Sequence, residues 1–338
     1  MTKTVTAPSM SMKVRENLKT TTPAHEHTAF QTPAEKLFVV YHMGVPAVDA
    51  ATWRITVGGL VDTALTLTLA DLRAMPTTEV TAFHECAGSP LRPAVPVRRV
   101  GNVVWRGVQL KCVLAAAGIK PEAKFVWSRG ADSGIYPPTG TYSDSYVKDL
   151  PLDKALADEV LIATEVNGAA LDEAHGAPVR LVVPGYYGTN SVKWLTEIRL
   201  EPARAPGFFT TRLYNDRAIE NGVERTTPVW AVAPHAIIVS PAAHGCLPLA
   251  PHRIWGWAWG DEEISAVEIS TDGGANWVPS ALDRRQDYSW QRFSHDWTPP
   301  EPGAYELACR ARNGAGVIQP LHGARNEVFR IKVRVDAR

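Results

Sequence analysis

The 338-residue sequence lacks the marks of several protein classes. Its four cysteines, Cys86, Cys112, Cys246 and Cys309, are scattered, with no CxxC pair and no framework spacing. Four reduced thiols are therefore expected, not a zinc ribbon or a disulfide-stapled domain. There is no CxxCH motif for heme attachment, and no glycine spacing matches a phosphate-binding loop or a dinucleotide fingerprint. Charge of one sign is also missing, with 35 Lys plus Arg against 35 Asp plus Glu. Nucleic-acid binders carry a basic excess, so no nucleic-acid partner is expected. The most apolar stretches, such as 179–187, are broken by Pro and Gly well short of the ~20 residues a membrane helix needs, so no membrane partner is expected. Residues 1–35 hold no apolar export segment and no twin arginine. The chain thus reads as cytoplasmic, with a processed exported chain as the alternative. No internal repeat is found.

What is present points to two domains, at a prior of about 150 residues each. Residues 1–35, rich in Thr, Ser and Pro, read as a mobile arm. Residues 36–225 mix short elements. Strands are predicted at 37–41, 53–57, 79–85, 125–129, 160–166 and 179–183 from apolar runs and period-2 alternation. Helices are predicted at 68–75, capped by Thr68, and at 108–117, ended by Gly118, with weaker helical character at 152–157. From 226 to 338 helical signals vanish. Short strands at 236–240, 253–259, 266–271, 305–312 and 329–335, with Asp272-Gly273-Gly274 and Asn313-Gly314 turns, predict a β-sandwich. Seven of the eleven Trp lie there, and Trp255, Trp257 and Trp259 alternate onto one face of one strand. That face is either the sandwich core or a surface for a partner subunit.

Two segments carry chemistry. Cys86 ends the predicted strand 79–85 and is followed by Ala-Gly-Ser-Pro, so its thiol is presented at an edge. It is either an inert thiol or a functional one, and thiolate character there requires a nearby positive charge or a metal. The second segment runs from His175 through Arg180 to Lys193, with Gly-rich turns around a short strand. Arg forks and backbone N–H groups suit an anion such as phosphate.

Together these segments resemble the sulfite oxidase family of molybdenum-cofactor (molybdopterin) oxidoreductases, heme-free type, over about residues 36 to 335. The marks are Phe38, His42 and Val45-Pro46; Trp53-Arg54 with Val57 and Gly59; Cys86-Ala87-Gly88; Trp105 with Gly107-Val108; Leu114 with Ala117-Gly118; Asn167-Gly168; His175-Gly176, Pro178-Val179-Arg180 and Val183-Pro184-Gly185; Val192-Lys193-Trp194-Leu195; and Asp272-Gly273-Gly274 with Trp277. The resemblance implies an α+β fold: a mixed α/β molybdopterin-binding catalytic domain at 36–225, then an all-β immunoglobulin-like dimerisation domain at 226–338. It implies a homodimer and a molybdenum–molybdopterin cofactor (Moco), with Cys86 as the one protein ligand to the metal. The cofactor cradle carries over to Phe38, His42, Asp132, Ser133, His175, Arg180 and Lys193, and an active-site tyrosine to Tyr214. Cys112, Cys246 and Cys309 read as structural.

The implied activity is oxidation of sulfite to sulfate by oxygen-atom transfer. No heme or flavin segment is recognised, so electrons are expected to pass to a separate acceptor. The sequence departs from the family in its substrate arginines. Val40 stands two residues before His42, and Leu91, with Arg92 beside it, stands five after Cys86. A third arginine is sought near 321–325, which ends in Arg325. Arg92, Arg98, Arg99 and His84 are the candidates to rebuild an oxyanion pocket, and His84 reads equally as a packed strand residue. The rival readings are another sulfur or nitrogen oxyanion, reduction of an S- or N-oxide, a cofactor-binding protein without turnover, and an adhesion module.

Overall fold

The computed structural model describes residues 20–89 and 97–337. Leu91 and Arg92 lie outside them.

The first module is built mostly of β-strands. A five-stranded sheet runs in the order Val147–Pro151, Phe125–Gly130, Leu195–Glu201, Arg54–Gly59, Leu65–Thr68. Its Leu195–Glu201 and Arg54–Gly59 strands are parallel and the other neighbours antiparallel. A second sheet runs Ala169–Ala170, Leu161–Val166, Val100–Gln109, Thr78–Glu85, with Arg180–Val182 pairing onto Leu161–Val166. A large apolar cluster, including Ile55, Leu72, Val113, Leu114, Leu150 and Ile198, is buried among these elements. Among the described residues α-helix is confined to Leu69–Ala74, Leu110–Ala117 and Leu152–Ala155. Thr68 caps the first as expected, with its hydroxyl on Asp71 N and the Asp71 carboxylate on Thr68 N, a reciprocal capping box. The second helix starts at Leu110 because residues 108 and 109 remain in the strand Val100–Gln109. The α content is thus smaller than expected.

Two expectations are corrected here. The run 37–41 forms no strand; its Leu37, Phe38, Val39 and Tyr41 are buried without a ladder partner, and Val39 N donates to Thr20 Oγ1 at 2.8 Å. The described part of the expected arm, 20–35, is packed. Thr22–Pro23 pairs with Val97–Arg98, Ala24 is buried, and the indole of Trp257 donates to His27 O at 2.6 Å.

The second module packs a sheet ordered His235–Ser240, His252–Trp259, Gln291–Trp297, Ala281–Leu282 against one ordered Cys246–Pro248, Arg330–Asp336, Gly303–Asn313, Ile264–Ser270, Val278–Pro279. Ile254, Ala258, Phe293, Leu307 and Ile331 fill the space between them. The tryptophan face belongs to neither expected partner. Trp257, Trp259 and Trp290 are buried against Phe83, Ala87, Val100 and Tyr187 of the first module. A large aromatic face is what two modules of one chain need to stay docked. On the opposite face of that strand Gly256 is obligatory: a Cβ there would lie 1.8 Å from Ile237 O.

His27 sits in this seam, about 5% exposed, and burial, then the charges of Arg98 and Lys36, pull its pKa from 6.5 to about 4. Between those values the unfolded chain binds the extra proton, so stability is whole above pH 6.5 and lost as pH falls toward 4. The contribution is about 3 kcal/mol at 1.36 kcal/mol per unit. His27→Gln should therefore flatten the acid side of a urea-unfolding profile between pH 7 and 4.5. A profile as steep as the wild type's would refute this.

Candidate active site

The Cys86 thiol opens onto a cavity of about 60 Å³. The strand Thr78–Glu85 delivers His84 and Cys86 to it, and the buried run 38–42 delivers Phe38, Val40 and His42. Residues 174–193 wrap the remaining side with His175, Arg180, Thr189, Ser191 and Lys193. Asp132, Tyr146 and Tyr214 complete the wall. Glycine makes two of these approaches feasible. A Cβ on Gly188 would lie 2.9 Å from His84 Nε2, and one on Gly176 would lie 2.9 Å from Lys193 Cβ.

The cationic end is built from buried donors. Arg180, 4% exposed, donates from Nη1 to His175 O at 3.0 Å and from Nη2 to Ser191 O at 3.1 Å, with its guanidinium 4.9 Å over the Trp105 ring. Burial pulls its pKa down to about 9. Its Nη2 also lies 3.4 Å from His84 Nε2. Burial, then the Arg180 charge, holds His84 well below the ordinary histidine range, so its ring is neutral and accepts from the guanidinium. That ring stacks on Phe38 at 5.5 Å. His84 therefore both lines the cavity and fixes Arg180. Lys193 donates to Ala174 O at 2.9 Å and lies 4.4 Å over the Trp194 ring. Burial, then Arg180, lowers its pKa, while burial raises that of Asp132. His175 is oriented by Asp172, with Nδ1 2.9 Å from both carboxylate oxygens and Nε2 3.3 Å from Leu37 O. Burial alone would raise Asp172, but the bonds from His175 outweigh it and hold the carboxylate down.

The other end is aromatic and neutral. His42 Nε2 shares a 2.6 Å hydrogen bond with the Tyr214 hydroxyl. The His42 ring stacks on Tyr146 at 5.2 Å and meets Phe209 edge-on at 5.0 Å. Burial pushes the Tyr214 and Tyr146 hydroxyls far up, so both remain donors at neutral pH. The Tyr146 hydroxyl donates to Thr189 O at 2.9 Å.

The structure thus gathers Phe38, His42, His84, Cys86, Asp132, His175, Arg180, Lys193 and Tyr214 around one cavity. Ser133, next to Asp132, is half-buried and not part of the wall. Arg98 and Arg99 do not rebuild the pocket. Arg98 is buried between the modules with its guanidinium 4.4 Å over Phe329, and Arg99 is absent from the cavity wall. Arg325 is tied to Ala87 O and the Asp216 carboxylate. Cys309 is buried in the sandwich core, and Cys112 and Cys246 are exposed away from the cavity. Sequence reasoning missed Tyr146 and Thr189. Nothing in their spacing marks them, since only folding brings these isolated polar residues 43 positions apart into contact.

The donor set fits the implied cofactor. No cluster of three or more His, Cys, Asp or Glu able to hold an ion occurs among the described residues. A metal at Cys86 therefore takes its other ligands from a bound group. A soft thiolate suits such a metal, and burial, which raises the Cys86 thiol, makes metal binding the means of deprotonating it. Arg180 and Lys193 donate to main-chain carbonyls at the cavity edge, where a phosphate would meet charge-assisted donors.

Comparison with known proteins agrees. Residues 42–209 match the oxidoreductase molybdopterin-binding domain. Sulfite oxidase of Gallus gallus is 31% identical over 86% of this chain and 68% of its own length. The mitochondrial sulfite oxidase of Homo sapiens is 32% identical over 86% of this chain, which spans 57% of that protein. The solved structure of the sulfane dehydrogenase SoxCD from Paracoccus pantotrophus superposes with a TM-score of 0.78 at 29% identity, covering 91% of this chain and 79% of that one. The chain belongs to the sulfite oxidase family of molybdopterin oxidoreductases.

Proposed function

We propose that the chain oxidises sulfite to sulfate, taking one oxygen atom from water and passing two electrons and two protons onward. The electrons go to a separate acceptor. The observation that carries this reading is the Cys86 sulfur facing a cavity whose wall brings together Arg180, Lys193 and His175. When bound, the molybdenum cofactor supplies the oxygen-atom transfer and the two-electron storage. The chain supplies the rest. Cys86 anchors the metal, while Arg180 and Lys193 hold the cofactor's phosphate. Tyr214 offers a hydroxyl donor to an oxyanion, oriented by His42, while the Tyr146 proton is held by Thr189 O. Phe38, Trp105 and Trp194 shield the cationic end from water, which strengthens each charge there.

A second reading is favoured by Val40, which lines the cavity where a substrate arginine is expected. A neutral wall suits a less charged substrate, such as a sulfane sulfur or an S- or N-oxide. The likeness to the sulfane dehydrogenase supports the first of these. The C-terminal sandwich, taken as immunoglobulin-like, is proposed to carry a homodimer contact.

Metal and pterin analysis tests the cofactor assignment. Wild type should hold one molybdenum per chain, and Cys86→Ser should lose most of it while keeping the fold by circular dichroism. Equal metal content in both proteins would remove Cys86 as the ligand. Steady-state assays with sulfite and ferricyanide test the substrate. Val40→Arg should raise kcat/KM for sulfite at least about tenfold, because a charged hydrogen bond is worth ~1.5–3 kcal/mol. A loaded wild type inert to sulfite, with no gain in Val40→Arg, would shift the assignment to the less charged substrates.

A further inference from the structure

The sulfur that faces the cavity has a cation behind it. In the antiparallel pair of Thr78–Glu85 with Val100–Gln109, Glu85 stands opposite Val100. The pairing runs one step beyond the strand end, where Cys86 N donates to Arg99 O at 2.9 Å. Arg99 is thereby the cross-strand neighbour of Cys86. It also ties down the turn that follows. Its main-chain N donates to Ser89 Oγ at 2.5 Å, and its Nη1 donates to Gly88 O at 2.8 Å. Gly88 N in turn approaches Cys86 Sγ at 3.4 Å. The guanidinium thus reaches the sulfur through Gly88, whose carbonyl it holds and whose N–H faces Cys86 Sγ, and Arg99 is absent from the cavity wall. A substrate or pterin in the cavity therefore meets Arg180 and Lys193, while Arg99 acts on the sulfur through the turn.

We propose that Arg99 is a positioning residue that fixes the Cys86 sulfur from behind and raises the reduction potential of the molybdenum bound there. Reduction adds negative charge to the metal–thiolate unit. A positive charge one residue away and the Gly88 N–H that it holds at the sulfur stabilise that added charge, as hydrogen bonds to ligating sulfurs do in other metal centres. The proposal rests on the molybdenum cofactor at Cys86 and is independent of which substrate is oxidised.

The test is a redox titration of the holoenzyme, followed by the Mo(V) electron paramagnetic resonance signal, with molybdenum content measured on each sample. Arg99→Gln removes the charge but keeps an amide donor for Gly88 O, and Arg99→Lys keeps the charge without the fork. In Arg99→Gln the reduced fraction at a fixed poise should fall about tenfold, a shift of about 59 mV for one electron. Arg99→Lys should recover part of that shift, and the Mo(V) signal of Arg99→Gln should change shape. A purely structural role would lower metal content or thermal stability while leaving the loaded fraction at the wild-type potential, and that result overturns the proposal. Molybdenum missing from the wild type would defeat the cofactor assignment and this proposal together, whereas loaded proteins of equal potential defeat the proposal alone.

Discussion

One buried carboxyl group joins the two modules at the residue next to the Cys86 sulfur. Glu85 is about 1% exposed, with Oε2 accepting from Trp259 Nε1 at 2.9 Å and Oε1 lying 3.1 Å from His235 Nδ1. Both partners come from the β-sandwich. Leaving a buried polar group without its partner costs about 1–3 kcal/mol, so the modules are specified in orientation as well as held together. Asn102 does the same one strand over. Its side chain donates to Phe30 O and accepts from Trp290 N, which draws the N-terminal segment into the same seam. The apolar part of the seam, Phe83 and Tyr187 against Trp257 and Trp290, supplies area, and these polar groups supply register. The position of Cys86 is thus fixed from the sandwich side before any cofactor binds.

Much of this was legible in the sequence because it is local. Period-2 alternation in 53–57 and 253–259 marks half-buried strands, and a Thr with an Asp three residues on marks a helix start. The residues that line the cavity were legible for a different reason. Cys86, His175, Arg180 and Lys193 lie in short segments whose order carries the family resemblance. What could not be read is what depends on contact between distant segments. The run 37–41 has strand composition, but its neighbours offer side-chain packing and no ladder partner, so it stays irregular. The tryptophan stripe has a clear period, yet period reports that a face is buried and never against what. Arg98 and Arg99 are adjacent in sequence and end in different places. Arg98 is buried over Phe329, and Arg99 turns toward Gly88 O in the turn that follows Cys86.

The cavity divides its charge unevenly, and that division bears on what it selects. Arg180 and Lys193 are both buried and packed on tryptophan rings, so a charge on either acts at low dielectric with little screening. Neither is held there by chance: His84, kept neutral by burial, gives Arg180 an acceptor where a charged histidine would repel it. The same proximity explains why His84 cannot serve as a cationic anchor for substrate. Protonating it would set two positive charges 3.4 Å apart at Nε2 and Nη2 between two buried side chains. At the aromatic end Val40 and Tyr146 offer shape and Tyr214 a neutral donor, and the described wall holds no arginine there. Affinity for a dianion therefore falls to the cationic end, which a cofactor phosphate also requires. A substrate competing for those same charges binds weakly unless it also ligates the metal-bearing group. Discrimination in this pocket is consequently set less by the total charge of the substrate than by whether its reacting atom reaches the Cys86 side of the cavity.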